Sequence, residues 1–179
     1  MKEIEFVPFQ KIPRLNRDIV ITEKIDGTNA IVHVSEDRVV IAGSRNRWIT
    51  PEKDNAGFAR WVQENAEQLA WLGPGTHFGE WWGAGIQRRY GLTEKRFSLF
   101  NVGRWGEQRP PCCGVVPTLY SGPFSKTAID DAMERLRSAG SVAAPGFMQP
   151  EGIVVFHTAS GQLFKATLEG DEKPKGAAA

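Results

Sequence analysis

Thr22-Glu23-Lys24-Ile25-Asp26-Gly27-Thr28-Asn29 is the stretch on which the reading of this chain turns. It sets one lysine between acids and runs into Asp-Gly, a strong turn signal. Upstream, Asp18-Ile19-Val20-Ile21 reads as a short buried strand, and downstream Ala30-Ile31-Val32-His33-Val34 reads as a second. Lys24 is thus expected at a strand–turn–strand junction. A surface lysine in a polar hairpin would have the same surroundings. The other reading is a nucleophile: an amine attacks an electrophile only after losing its proton, so it needs a lowered pKa or a nearby base. Asp26, two residues on in a strand-like stretch, can share a face with Lys24.

Outward from this stretch, strands come in runs. Arg38 to Ala42 reads as the next strand and ends at Gly43-Ser44-Arg45-Asn46-Arg47. Asn55 to Leu72 is predicted as one helix, because Phe58, Trp61, Val62, Ala66, Leu69 and Leu72 recur at spacings of three and four. Asp54 or Asn55 is placed to cap it, and Gly73-Pro74-Gly75 stops it. Thr76 to Trp82 reads as a strand in which Glu80 shares a face with Phe78 and Trp82. A carboxylate among aromatics is costly to bury without partners. Ala84 to Leu92 is Gly-rich and basic; it is either a contact for a polynucleotide backbone or an ordinary loop. Arg96 to Val102 reads as a buried strand, and Trp105 to Pro123 as a Pro- and Gly-rich excursion holding one short strand. Ser125 caps a second helix with Ile129, Met133 and Leu136 inward and Gly140 at its end. At the start of the chain, Pro8 and Pro13 interrupt any helix in Met1 to Arg17, which is expected to be an irregular lead-in packed against the sheet.

The balance of 22 basic and 21 acidic residues gives a net charge of +1, which argues against a strongly basic nucleic-acid binder while leaving room for a local basic patch. Cys112 and Cys113 are adjacent, a poor geometry for a structural disulfide, and no second Cys or His cluster stands near them to make a zinc site. Reduced thiols suit a cytoplasmic location. No apolar run is long enough to span a membrane, and no secretory signal is present. The βαβ alternation of a parallel sheet and a P-loop are both absent, so an α+β chain with antiparallel sheets is expected.

Lys24-Ile25-Asp26-Gly27 resembles motif I of the covalent nucleotidyltransferases, the ATP-dependent DNA and RNA ligases and the mRNA capping enzymes. His77-Phe78-Gly79-Glu80 resembles motif III, Arg96-Phe97-Ser98-Leu99-Phe100-Asn101-Val102 motif IIIa, Pro150-Glu151-Gly152-Ile153-Val154-Val155 motif IV, and Phe164-Lys165-Ala166 motif V. Each match alone is weak; five in order, from about Asp18 to Lys165, are specific. Glu80-Trp81-Trp82-Gly83-Ala84-Gly85-Ile86-Gln87 further resembles the RNA ligase 2 branch.

The resemblance implies an α+β adenylation domain, here residues 1–168, whose antiparallel sheets enclose a nucleotide. A polar tail, 169–179, would follow, with no C-terminal accessory domain. It implies a ligase that uses ATP, forms AMP on Lys24 and needs Mg2+ or Mn2+. Lys24, Lys165 and Asp26 would be catalytic. Glu23, Lys24, Arg45, Glu80, Phe100 and Lys165 would bind nucleotide. Glu151 would engage the metal, and Arg47, Arg88 and Arg89 the nucleic acid. The partners implied are RNA or DNA strand ends or nicks and a protein supplying the accessory domain. The alternatives are a DNA ligase core and a binding module without turnover. Two departures stand out: Asn101 replaces the usual acid, and Thr167 occupies the place of a second motif V lysine, for which Lys173 or Lys175 are candidate substitutes.

Overall fold

The computed structural model describes residues 4–171, so Lys173, Lys175 and the last residues of the expected tail lie outside the described part. Two sheets carry the fold. The first has four antiparallel strands in the order β10-β9-β1-β8, with β1 at Asp18–Lys24, β8 at Thr118–Pro123, β9 at Gly152–His157 and β10 at Gln162–Thr167. The second has six strands in the order β4-β3-β2-β5-β6-β7. These are β2 Thr28–Val34, β3 Val40–Ser44, β4 Trp48–Ile49, β5 Gly75–Gly83, β6 Lys95–Leu99 and β7 Cys113–Val115. Among the described residues only the β6–β7 pairing is parallel. The α+β expectation is met.

Each sheet buries one face against helix. Ala30, Val32 and Val34 of β2, Trp81 of β5 and Phe97 and Leu99 of β6 form one core with helix α1, Phe58–Glu64. Phe58 sits 5.3 Å from both Trp81 and Phe97. Ile19 and Ile21 of β1 and Ile153 and Val155 of β9 form a second core with Ala132 and Leu136 of helix α3, Lys126–Ala139. Alternation then sends Asn29, Ile31, Phe78 and Glu80, and likewise Thr22, Lys24, Val154 and Lys165, to the opposite faces. A third, smaller core of Ile25, Trp82, Tyr90, Val116 and Ala144 joins the two sheets at the turn after Lys24.

Four expectations are corrected. The single helix over Asn55–Leu72 is three pieces: α1, the short α2 at Ala66–Leu69 and a 3-10 turn at Ala70–Leu72. Asn65 breaks it, with φ −110° and ψ 13°, while its side-chain amide donates to the Trp61 carbonyl at 2.8 Å. The helix also starts late: Asp54 accepts from the Ala59 and Arg60 amides, at 2.7 and 3.2 Å, beyond an irregular start. The hairpin partner β4 was not foreseen, and the Trp105–Pro123 excursion holds two strands, β7 and β8, rather than one. The lead-in does not pack on the sheet. Ile4, Phe6, Phe9 and Ile12 are exposed, and the ties near its end are the Leu15 and Arg17 carbonyls, which accept from His157 Nε2 at 2.8 Å and Phe124 N at 3.0 Å. Two prolines remove the donors that would let this stretch add to a sheet edge. Ser125 does cap α3, accepting from the Ala128 amide at 3.2 Å. No helix among the described residues is long and apolar enough to cross a membrane.

Candidate active site

Lys24 is the last residue of β1 and leaves the four-stranded sheet just before the chain turns into the six-stranded one. Its neighbours in sequence fix it from both sides. Ile25 is buried in the joining core. Glu23, one residue earlier, faces the other way: it is fully buried, and its carboxylate accepts from Ser141 Oγ at 2.6 Å and from the Val142 and Ala143 amides at 2.8 and 2.9 Å. Such a carboxylate is a structural anchor. Alternation turns its side chain to the face of β1 opposite Lys24, where both oxygens accept these bonds.

Lys24 Nζ donates to Glu151 Oε2 at 2.6 Å. Glu151 sits immediately before β9, opposite the end of β1, where Lys24 pairs with Gly152. Gly152 has φ 152°, and a Cβ there would run into the Ala166 carbonyl of β10. The glycine after Glu151 therefore lets β10 lie close to this end of β9. Thr22, Val154 and Lys165 form one row across β1, β9 and β10, so their side chains share the Lys24 face. Lys165 is exposed and two strands from β1, about 10 Å across the sheet. Thr167, on the same strand, is tied locally, its hydroxyl donating to the Glu169 carbonyl at 2.9 Å.

Glu80 comes from the other sheet. Its Oε1 accepts from the Gly27 amide at 3.0 Å. A Cβ on Gly27 would meet the Trp81 carbonyl, Trp82 Cβ at 2.8 Å and Glu80 Cγ at 3.0 Å, so only glycine lets the turn seat on β5. Burial pushes the Glu80 carboxyl up to about 7, against the opposing pull of Lys24 and the Gly27 amide, while Glu151 and Asp26 push it the same way as burial. Next to this carboxylate a cavity of about 260 Å³ is lined by Asn29, Ala30, Ile31, Arg45, Phe78, Gly79 and Phe100. Arg45 and Phe100 were expected from sequence. Phe78 was not, although its shared face with Glu80 was the signal that points to it. A larger cavity, about 290 Å³ between β8 and α3, contains none of these residues.

Asp26 and Arg88 are paired, Arg88 Nε to Asp26 Oδ2 at 3.0 Å. Arg88 thus has a protein carboxylate as partner while its side chain stays partly exposed. Arg47 and Arg89 are exposed. No group of three or more His, Cys, Asp or Glu residues among the described residues makes a self-sufficient metal site. Cys112 and Cys113 are free thiols, as expected.

An amine and a carboxylate in contact, a second buried carboxylate and an aromatic pocket with an arginine are thus brought together from segments far apart in the chain. A family profile for RNA ligases matches residues 17–167. The chain belongs to the RNA ligase family. Variants of the Naegleria gruberi RNA ligase have the same fold. One solved with ATP and manganese superposes with a TM-score of 0.64 at 19% identity, covering 89% of this chain and 52% of that one. A form without nucleotide gives a TM-score of 0.64 at 20% identity over 86% of this chain and 50% of that one, and a third, with AMP and manganese, gives 0.60 at 19% over 86% and 50%. The chain thus spans about half the length of the RNA ligase structures it matches. Comparison with curated proteins by sequence finds no significant match.

Proposed function

We propose that this RNA ligase core joins RNA ends at the expense of ATP, through AMP carried covalently on Lys24. The observation that carries the reading is the Lys24–Glu151 contact of 2.6 Å beside the pocket of Arg45, Phe78 and Phe100. In the first step neutral Lys24 Nζ attacks the α-phosphorus of ATP. A P–N bond forms, the bond to the leaving pyrophosphate oxygen breaks, and the amine proton is lost. AMP then passes to a 5′-phosphate end, and a 3′-hydroxyl attacks that activated end to seal the strand and release AMP.

The residues divide the work by chemistry. The base fits against Phe100, where stacking on an aromatic contributes about 1–3 kcal/mol. Glu80 would accept from the ribose hydroxyls. Arg45 and Lys165 supply fixed positive charge for the phosphate oxygens, on which charge grows during transfer. Mg2+ or Mn2+, when bound, would supply further positive charge there. Glu151 would hold such an ion and Asp26 would orient its water, the remaining ligands of a hard cation coming from phosphates and water. Arg47 and Arg89, both exposed, are candidates to contact the nucleic-acid backbone.

RNA rather than DNA is favoured because the family match and the solved relatives named above are RNA ligases. The test is sealing of 5′-phosphorylated, nicked and single-stranded substrates of RNA and of DNA, with ATP and either metal, beside Lys24→Ala. Sealing of RNA ends by the native chain alone is the expected result. Sealing of DNA but not RNA, or ATP binding without sealing or covalent AMP, would overturn it.

A further inference from the structure

We propose that Arg88 and Tyr90 are positioning residues that clamp the turn after Lys24 to the loop carrying Glu151. They thereby set the amine and carboxylate in register before nucleotide arrives. The catalytic consequence rests on the adenylyl-transfer reading above; the clamp itself does not.

Three observations converge on the segment 84–92. First, one guanidinium spans both loops. Arg88 Nε donates to Asp26 Oδ2 at 3.0 Å and its Nη1 donates to the Gln149 carbonyl at 3.0 Å. Asp26 lies two residues after Lys24, and Gln149 two residues before Glu151. The planar fork of arginine reaches both acceptors at once, which a lysine ammonium on one flexible stem does less well. Second, the Tyr90 hydroxyl accepts from the Asp26 amide at 2.8 Å. Its ring is buried between Trp82, 5.1 Å away, and Phe147, 4.6 Å away, in the same small core that holds Ile25. Burial pushes the hydroxyl further above its ordinary value, so it stays neutral. Third, the backbone that presents these side chains is strained. Gln87, Arg89 and Tyr90 have φ of 44°, 60° and 52°, three non-glycine residues in the left-handed region within four positions. Such conformations are costly and persist where surrounding contacts over-determine them, typically at functional sites.

The clamp acts on placement, because a near-attack amine loses much of its rate when displaced by an ångström. Arg88→Ala should therefore slow the chemical step while leaving the pocket of Phe78, Phe100 and Arg45 untouched. The experiment is single-turnover transfer from α-labelled ATP with Mn2+, over a range of ATP concentrations. It compares the native chain, Arg88→Ala, Arg88→Lys, Tyr90→Phe and the surface control Arg135→Ala. Hydrogen exchange of the peptide covering the turn after Lys24 is followed in parallel. The expected result is a fall of roughly 10- to 100-fold in the rate at saturating ATP for Arg88→Ala. The half-saturating ATP concentration should stay the same, and Arg88→Lys should recover part of the rate. Tyr90→Phe keeps the ring and should give a smaller fall, and both Arg88→Ala and Tyr90→Phe should speed exchange at the turn without altering α3. Native rates with native exchange would overturn the clamp, as would a rise in the half-saturating concentration alone. Should Arg88→Ala fail to fold, Arg88→Lys and Tyr90→Phe carry the same test. If the native chain takes no label, the adenylyl-transfer reading has failed, and exchange at the turn alone decides whether the clamp stands.

Discussion

Lys24 and Lys165 lie on one face of one sheet, yet their settings differ in almost every respect. Lys24 ends a central strand; one neighbour is locked into a core and the other is a buried carboxylate with three donors. Its own amine is held at 2.6 Å by Glu151. Lys165 sits on the outermost strand, exposed, with Leu163 exposed and Thr167 tied into a local turn. Under the function proposed above, the difference amounts to a division of labour: a nucleophile has to be placed before the reaction, on rigid elements, whereas a cation that follows charge on phosphate oxygens can work from an edge, where it can adjust.

The largest test of that contrast is Lys24→Ala, which should abolish covalent AMP altogether, as no other amine among the described residues is held against Glu151; a denaturing gel with α-labelled ATP reads this. Glu151→Gln should come next, lowering the labelling rate about 10²- to 10³-fold, the scale of losing one preorganised electrostatic partner, and raising the metal concentration needed for half-maximal rate. If Glu151 served only to hold Lys24 protonated, the variant would label faster instead. Lys165→Ala should cost about 10²-fold or less, with the half-saturating ATP concentration moving little. Thr167→Lys, which adds a cation on the same face of the edge strand, should give the smallest effect, a gain of roughly two- to fivefold, in line with one exposed charge interaction.

Glu80 sharpens the comparison in a different currency, stability against pH. Its folded value of about 7 lies above the ordinary 4.5, chiefly through burial, so the folded chain binds a proton more readily than the unfolded one. The stability tied to neutral Glu80 is complete below pH 4.5 and is lost as pH rises to about 7. Glu80→Gln should flatten that fall, which amounts to about 3 kcal/mol at most. Denaturant midpoints across this window check it; a native chain whose stability rises through the window, identically to the variant, would show the burial argument wrong.

Much of this was legible in the chain because it is local. The turn at Asp26-Gly27, the Ser125 cap and the alternation around Glu80 each depend on residues a few positions apart. Less legible were features decided across long separations. The Arg88–Asp26 pair joins residues 62 positions apart, and the Glu23 anchor joins β1 to a loop 118 positions later. Glu23 is instructive, since alternation alone puts it opposite Lys24, while its three donors come from a loop that no local pattern points to. Asn65 interrupts a helix whose apolar spacing runs on unbroken, its backbone and side-chain amides both donating to the Trp61 carbonyl. The lead-in failed differently: apolar composition foretold burial, but a segment with two prolines has few ways to pair with a sheet.

The most direct measurement of the central claim is the mass of the native chain after incubation with ATP and Mn2+, followed by peptide mapping. The account predicts a gain of one adenylyl group, on the peptide containing Lys24 and on that residue. A folded chain that gains no mass, having carried no AMP beforehand, or that carries AMP on another lysine, would contradict it.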